Sequence, residues 1–195
     1  MSELSNCRVA ILASDGFEES ELTEPLRALR GAGARVEIIS ANEKGDTIQG
    51  FRHHDKSIRL ERDRSLPDSD PADYDALMLP GGALNADSLR ANPEVLKFVT
   101  AFEAEGKPIA FICHAPWVLV SAGLVKDRTL TGYETIQDDI RNAGGNYVDQ
   151  PVVVDNNWVS SRKPADLPEF AKEMIQTFTQ FLGQHERTSE KKQVA

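Results

Sequence analysis

The stretch Lys107-Pro108-Ile109-Ala110-Phe111-Ile112-Cys113-His114-Ala115-Pro116-Trp117-Val118-Leu119 (107–119) decides how the chain folds. Residues 109–112 are an unbroken apolar run, the mark of a strand buried on both faces. From Pro116 to Ala122 the sequence reads as a helix with proline near its first turn. Cys113 therefore stands between a buried strand and a helix start, which is the topology of a nucleophile elbow. The serine form of that elbow wants small neighbours, and here Phe111 and Ala115 flank the site, so the local pattern is suggestive only.

Working outward, the same logic recurs. Arg8 to Ala13 is a second buried strand, broken by Asp15-Gly16. Glu18 to Ala32 carries Leu22, Leu26 and Leu29 at helical spacing, closed by Gly31 and Gly33. Arg35 to Ser40 is the next strand, so a right-handed parallel β-α-β unit is expected. Residues 41–73 are polar and irregular, with weak β signals at Thr47-Ile48 and Ser57-Ile58 that suggest a short hairpin. Asp75 to Leu79 is a strand ending at Pro80-Gly81-Gly82, and Pro93 to Glu105 a helix. Later come a strand at 129–131, a helix at 135–142, a hairpin of 152–154 with 158–160, and an amphipathic helix from Leu167 to Leu182. The alternation predicts a doubly wound, mostly parallel sheet. It is expected as one domain over 1–183, followed by a charged, disordered tail over 184–195. Ligands of such sheets bind beyond the carboxyl ends of the strands.

Composition narrows the function classes. The 195 residues hold 22 Lys plus Arg against 31 Asp plus Glu, a formal net charge of −9. No basic surplus exists to displace counterions, so nucleic-acid binding is not expected. No apolar run approaches the roughly 18 residues that span a bilayer, and polar Met1 to Asn6 shows no signal-peptide pattern. The cysteines are Cys7 and Cys113 only, too few for a disulfide framework and without metal spacing, which suits a reducing cytoplasm.

Three motifs fall at strand ends: Asp15 to Glu24, Pro80-Gly81-Gly82, and Cys113-His114. A helix start and a histidine would lower the Cys113 thiol pKa, while a nearby acid would oppose them. A buried inert cysteine is the plain alternative. Cys7 precedes a strand, has no base near it, and reads as structural. Adjacent side chains usually diverge, so His114 need not touch the thiol. It is a general base toward substrate or a histidine satisfied locally. His53 and His54 read as surface groups at the rim of a cleft. The acids Glu18, Glu19 and Glu21 open a helix and complement its dipole, and one of them held near the thiol could share its proton. Gly81-Gly82 offers unobstructed N–H groups for an oxyanion hole together with the N–H after Cys113.

The strings SDGFEESELTEP (14–25), DALMLPGG (75–82), AFICHAPW (110–117), LTGYETIQDDIRNAGGNYVDQPVVVD (130–155) and SSRKPADLPEF (160–170) together resemble the ThiJ/PfpI superfamily. Within it they resemble the PfpI-type branch of intracellular proteases and general stress proteins, from about Arg8 to Leu182. The resemblance implies a flavodoxin-like fold of the class I glutamine amidotransferase type. It implies Cys113 as elbow nucleophile followed by His114, and Glu21 as the acid on the nucleophile with Glu18 its rival. It implies Gly82 with the His114 N–H as oxyanion hole, and Tyr133 in the cleft. PfpI-type enzymes complete a Cys-His-acid triad across a subunit interface. Asp87 is the matching acid, in a stretch one residue longer than in close relatives, and its plain alternative is a helix cap for the Asp87 to Arg90 turn. The expected protein is a homo-oligomer with a shared active site and no cofactor or metal. It would act on small carbonyl or peptide substrates as a glyoxalase, deglycase or peptidase. The alternative is an oxidative-stress sensor whose cysteine is oxidised.

Overall fold

A computed structural model describes residues 3–42 and 45–193, with residues 184–193 as helix backbone only. Its central sheet follows from the apolar runs. Strands β1 (Arg8–Ala13), β3 (Arg35–Ser40), β6 (Arg64–Ser65), β7 (Ala76–Leu79), β8 (Ile109–Ile112), β11 (Val152–Asp155) and β12 (Trp158–Ser161) form one sheet, ordered β11-β12-β8-β7-β1-β3-β6. Every pairing in it is parallel except the β11–β12 hairpin. Along the central strands successive side chains alternate between two cores, as a pleated strand requires. Ala10, Leu12, Leu77, Leu79, Ile109 and Phe111 face one core; Val9, Ile11, Ala76, Met78, Ala110 and Ile112 face the other. Both faces need apolar residues, so these strands read as unbroken runs rather than as alternation. Each large side chain so buried contributes about 1.5–3 kcal/mol.

Helices α2 (Ala83–Arg90), α3 (Pro93–Ala104), α4 (Pro116–Ser121) and α5 (Gln137–Asn142) cover the first core, α1 (Glu19–Gly31) and α6 (Leu167–Gln193) the second. A short parallel pair, β9 (Thr129–Leu130) with β10 (Asn146–Tyr147), lies beside the hairpin. The polar excursion holds the expected hairpin, β4 (Thr47–Arg52) with β5 (Asp55–Glu61), and β2 (Phe17–Glu18) joins it in a separate three-stranded sheet.

Two expectations change. Residues 83–90 are a full helix, α2, rather than a turn from Asp87 to Arg90. Gly82, with φ 93°, stands at its N-cap and Asp87 in its middle, so Asp87 is not a cap. The final helix runs past Leu182 to Gln193, so helical backbone reaches into the stretch expected as a tail; residues 194 and 195 lie outside the described residues.

The order β8-β7-β1 positions the site. From β1 the chain goes to β3 on one side, then returns to β7 and β8 on the other, and the strand order reverses at β1. The carboxyl ends of these adjacent strands carry Asp15-Gly16, Gly81-Gly82 and Cys113. The edge hairpin is anchored by Arg128, which binds Glu103 at 2.6 Å and Asp155 at 3.2 Å and lies 3.8 Å over the Trp158 ring.

Candidate active site

Cys113 leaves β8 with φ 64°, in the left-handed region that only a few per cent of non-glycine residues adopt. The surrounding hydrogen bonds hold this conformation. Its N–H donates to the Ser161 carbonyl of β12 at 3.0 Å, its carbonyl accepts from the Tyr133 N–H at 2.7 Å, and the Ala115 N–H bonds back to the Ile112 carbonyl at 3.1 Å. The small neighbour an elbow needs comes from the next strand. A Cβ on Gly81 would overlap the Glu21 carboxylate and stand 2.5 Å from the Cys113 Cβ.

Of the two rival acids, Glu21 is the one set against the thiol. It lies in the first turn of α1 and is fully buried. Its oxygens meet no hydrogen-bond donor at good geometry; what faces them is the Cys113 thiol and the backbone at Gly81. Burial pushes this carboxyl up to about 8, and the charge of Glu18 adds to the rise. Glu18 itself is turned to the hairpin, where its Oε2 accepts the His53 N–H at 2.9 Å.

The thiol departs from expectation. Cys113 is only 7% exposed, and burial pushes it above the ordinary thiol value, with the Glu21 charge second; the N–H groups of Gly82 and His114 pull the other way. The helix start does not win because α4 is short and water is excluded. The two shifts are linked. With Glu21 protonated, as its own value favours at neutral pH, its repulsion of a thiolate disappears and its proton can be donated to sulfur.

His114 does touch the thiol: Nδ1 lies 3.2 Å from Sγ. In an extended strand consecutive side chains point to opposite faces, and the left-handed residue at 113 breaks that alternation. Burial lowers the His114 pKa, so the ring is neutral at neutral pH. One tautomer accepts the thiol proton at Nδ1 and the other donates to the thiolate. The ring stacks on Tyr133 at 4.8 Å and meets Trp117 edge-on at 5.2 Å.

These groups open into a cavity of about 760 Å³. Glu18, Glu21, Gly82, Cys113, His114 and Tyr133 all line it, and His53 and His54 stand on its wall. Asp87 does not; within one chain it is exposed on α2. Sequence reasoning missed Lys163, Pro164 and Ala165, which form a further wall after β12. They fall within the string 160–170 that carries the resemblance, but it is the strand order, with β12 beside β8, that brings them to the cavity. Cys7 is buried at the other end of the sheet, its thiol pushed up to about 12 by burial and by Asp75. Among the described residues no three His, Cys, Asp or Glu side chains cluster as a metal ion would need, and no helix is long and apolar enough to cross a membrane.

Comparison with known proteins bears on this geometry. The model of the DJ-1/PfpI family matches residues 7–177. General stress protein 18 of Bacillus subtilis is 38% identical over 169 residues, 86% of this chain and 95% of that one. Protein/nucleic acid deglycase 2 of Escherichia coli is 40% identical over 169 residues, again 86% and 95%. Among solved structures, a DJ-1 superfamily protein of Salmonella typhimurium superposes with a TM-score of 0.78 at 31% identity, covering 93% of this chain and 98% of its own.

Proposed function

This chain belongs to the DJ-1/PfpI family, and from that premise we propose that it is a cysteine-dependent, stress-protective enzyme whose Cys113 thiolate adds to activated carbonyls. One observation carries the reading: a fully buried carboxyl, Glu21, faces a thiol held in a left-handed elbow. A carboxyl with a pKa near 8 holds a proton at neutral pH and exchanges it readily, as acid–base chemistry requires.

The steps follow from the groups present. The thiol proton passes to His114 Nδ1 or is shared with Glu21, and sulfur attacks the aldehyde carbon of an α-oxoaldehyde. The hemithioacetal oxygen is held by the N–H groups of Gly82 and His114, which already act on the sulfur. Glu21 or His114 removes the proton from that carbon and one is returned to its neighbour, giving a thioester. Water cleaves the thioester to a 2-hydroxy acid and frees the thiol. With a glycated amine or a peptide, the same attack ends in release of the amine. Tyr133 keeps the His114 ring in plane by stacking.

The deglycase relative supports the carbonyl substrate class. The two free cysteines suit a cytoplasmic setting. In this reading Asp87, exposed on α2, meets His114 of a second copy and completes a shared site. Mixed oligomers refolded from Cys113→Ala and Asp87→Ala chains should then recover part of the activity each lacks. A second reading, oxidation of Cys113 as a stress signal, draws on the same Glu21 proton, which would bond a sulfinate oxygen. The deciding measurement is lactate formed from methylglyoxal by wild type and Cys113→Ser. Turnover lost in the variant supports the enzyme; stoichiometric peroxide uptake without turnover in wild type supports the sensor.

A further inference from the structure

Two walls of the Cys113 cavity carry nitrogen groups that the chemistry above does not use. One is the β4–β5 turn with His53 and His54; the other is the segment after β12 with Lys163. The turn is fixed over the cavity. Arg52 forks onto Glu19 at 2.8 and 3.0 Å, and the His53 N–H donates to Glu18 at 2.9 Å. On the opposite wall Arg162 takes up the nearby carboxylates, forking onto Asp166 at 2.9 and 3.1 Å and reaching Asp149 at 2.6 Å. Lys163 is left exposed, with no carboxylate partner among the described residues.

Of the acids lining the cavity, Glu21 adds no charge at neutral pH, and Glu18 is engaged by the hairpin rather than by Lys163. The chain as a whole carries −9, so its surface field repels anions, and Lys163 sets a positive charge on the wall of the nucleophile's cavity against that field. Lysine is a flexible point charge that meets carboxylate and phosphate alike.

We propose that Lys163, with His53 and His54 across the cavity, forms an anion subsite, and that the substrate is a small carbonyl compound bearing a carboxylate or phosphate group close to the reacting carbon. The inference rests on the reading of Cys113 as nucleophile and adds the group that steers substrate onto it.

Iodoacetate and iodoacetamide test it without turnover. They are nearly the same size, each alkylates a thiol with loss of iodide, and only the first is an anion. Rates at Cys113 are read on the full chain by peptide mass spectrometry. The iodoacetate-to-iodoacetamide rate ratio should fall roughly tenfold in Lys163→Ala, the scale of one charge-assisted contact. It should fall further in Lys163→Glu, be restored in Lys163→Arg, and drop in wild type as salt is raised. Because the ratio is internal to each protein, a general loss of reactivity does not imitate the effect. Slowing of the iodoacetate reaction by inorganic phosphate at lower concentration than acetate identifies a phosphate-bearing substrate, and the reverse order a carboxylate. A ratio unmoved by Lys163→Ala and by salt overturns the subsite. If neither reagent labels Cys113 in wild type, the nucleophile reading has failed instead.

Discussion

Cys7 and Cys113 are buried almost equally, at 1% and 7% exposed, and burial raises both thiols. They differ in what faces them. Cys7 sits before β1, at the amino ends of the strands, with Asp75 the one charge acting on it. Cys113 sits at the carboxyl ends, with a buried carboxyl on one side, a neutral imidazole nitrogen at 3.2 Å, and two backbone N–H groups aimed at its sulfur. Burial therefore does not tell the two thiols apart; the presence of a proton partner does.

The sharpest test of that contrast is substitution of each cysteine. Cys113→Ala should abolish methylglyoxal turnover. Cys7→Ala should keep it while losing on the order of 1 kcal/mol in urea unfolding, from the small cavity it leaves. Equal loss of activity in both would erase the difference.

Next in size is Glu21→Gln, which keeps the shape and removes the exchangeable proton. Turnover should fall roughly 10²-fold or more. In wild type, alkylation of Cys113 should rise with pH up to about 8 and level off there, because the ionised Glu21 then opposes the thiolate, while Cys7 stays unlabelled in the folded protein. Stability carries the opposite sign. The folded carboxyl holds a proton that the unfolded one has released between about 4.5 and about 8. Wild-type stability relative to Glu21→Gln is thus fully present below 4.5 and declines as pH rises towards 8, by up to about 1.4 kcal/mol per pH unit. At pH 7 the impaired variant should be the more stable protein in urea titrations. A constant difference from pH 4 to 9 would show that Glu21 is not the proton holder.

Gly81→Ala removes no reactive group but moves them apart. Its new methyl would sit 2.5 Å from the Cys113 Cβ and 2.9 Å from the Ile112 carbonyl. Displacement by about 1 Å predicts a loss of roughly 10²-fold in kcat/KM. The smallest effect belongs to Tyr133→Phe. The stack on His114 survives and only the hydroxyl goes, so turnover should drop no more than about tenfold.

The same contrast marks how far the sequence could be read. Runs such as 109–112 were legible because residues buried on both faces must all be apolar, and the elbow followed from what borders that run. Glu21 was legible as a candidate, but its separation from Glu18 needed the turn of α1 and the hairpin that draws Glu18 away. Helix α2 escaped notice because it is short, begins at a glycine and leaves Leu84 60% exposed, so no apolar stripe marks it. The balance of opposing effects on the thiol was not legible, because burial decides it and the groups packed on Cys113, Gly81 and Glu21 among them, reach it only through the strand order. Lys163 lies within the string 160–170, yet nothing local marks it as a wall of the cavity.

The N–H of Cys113 bonds to the carbonyl of Ser161, and β8 finds one of its two partners in β12. The elbow is thus braced by a strand made dozens of residues later. At ribosomal rates of about 5–20 residues per second, and with the exit tunnel still to clear, the nascent chain carries an unbraced thiol for seconds. Until the last third emerges, Cys113 has neither its left-handed support nor the Lys163 wall. The site around Cys113 is therefore assembled only as synthesis nears completion.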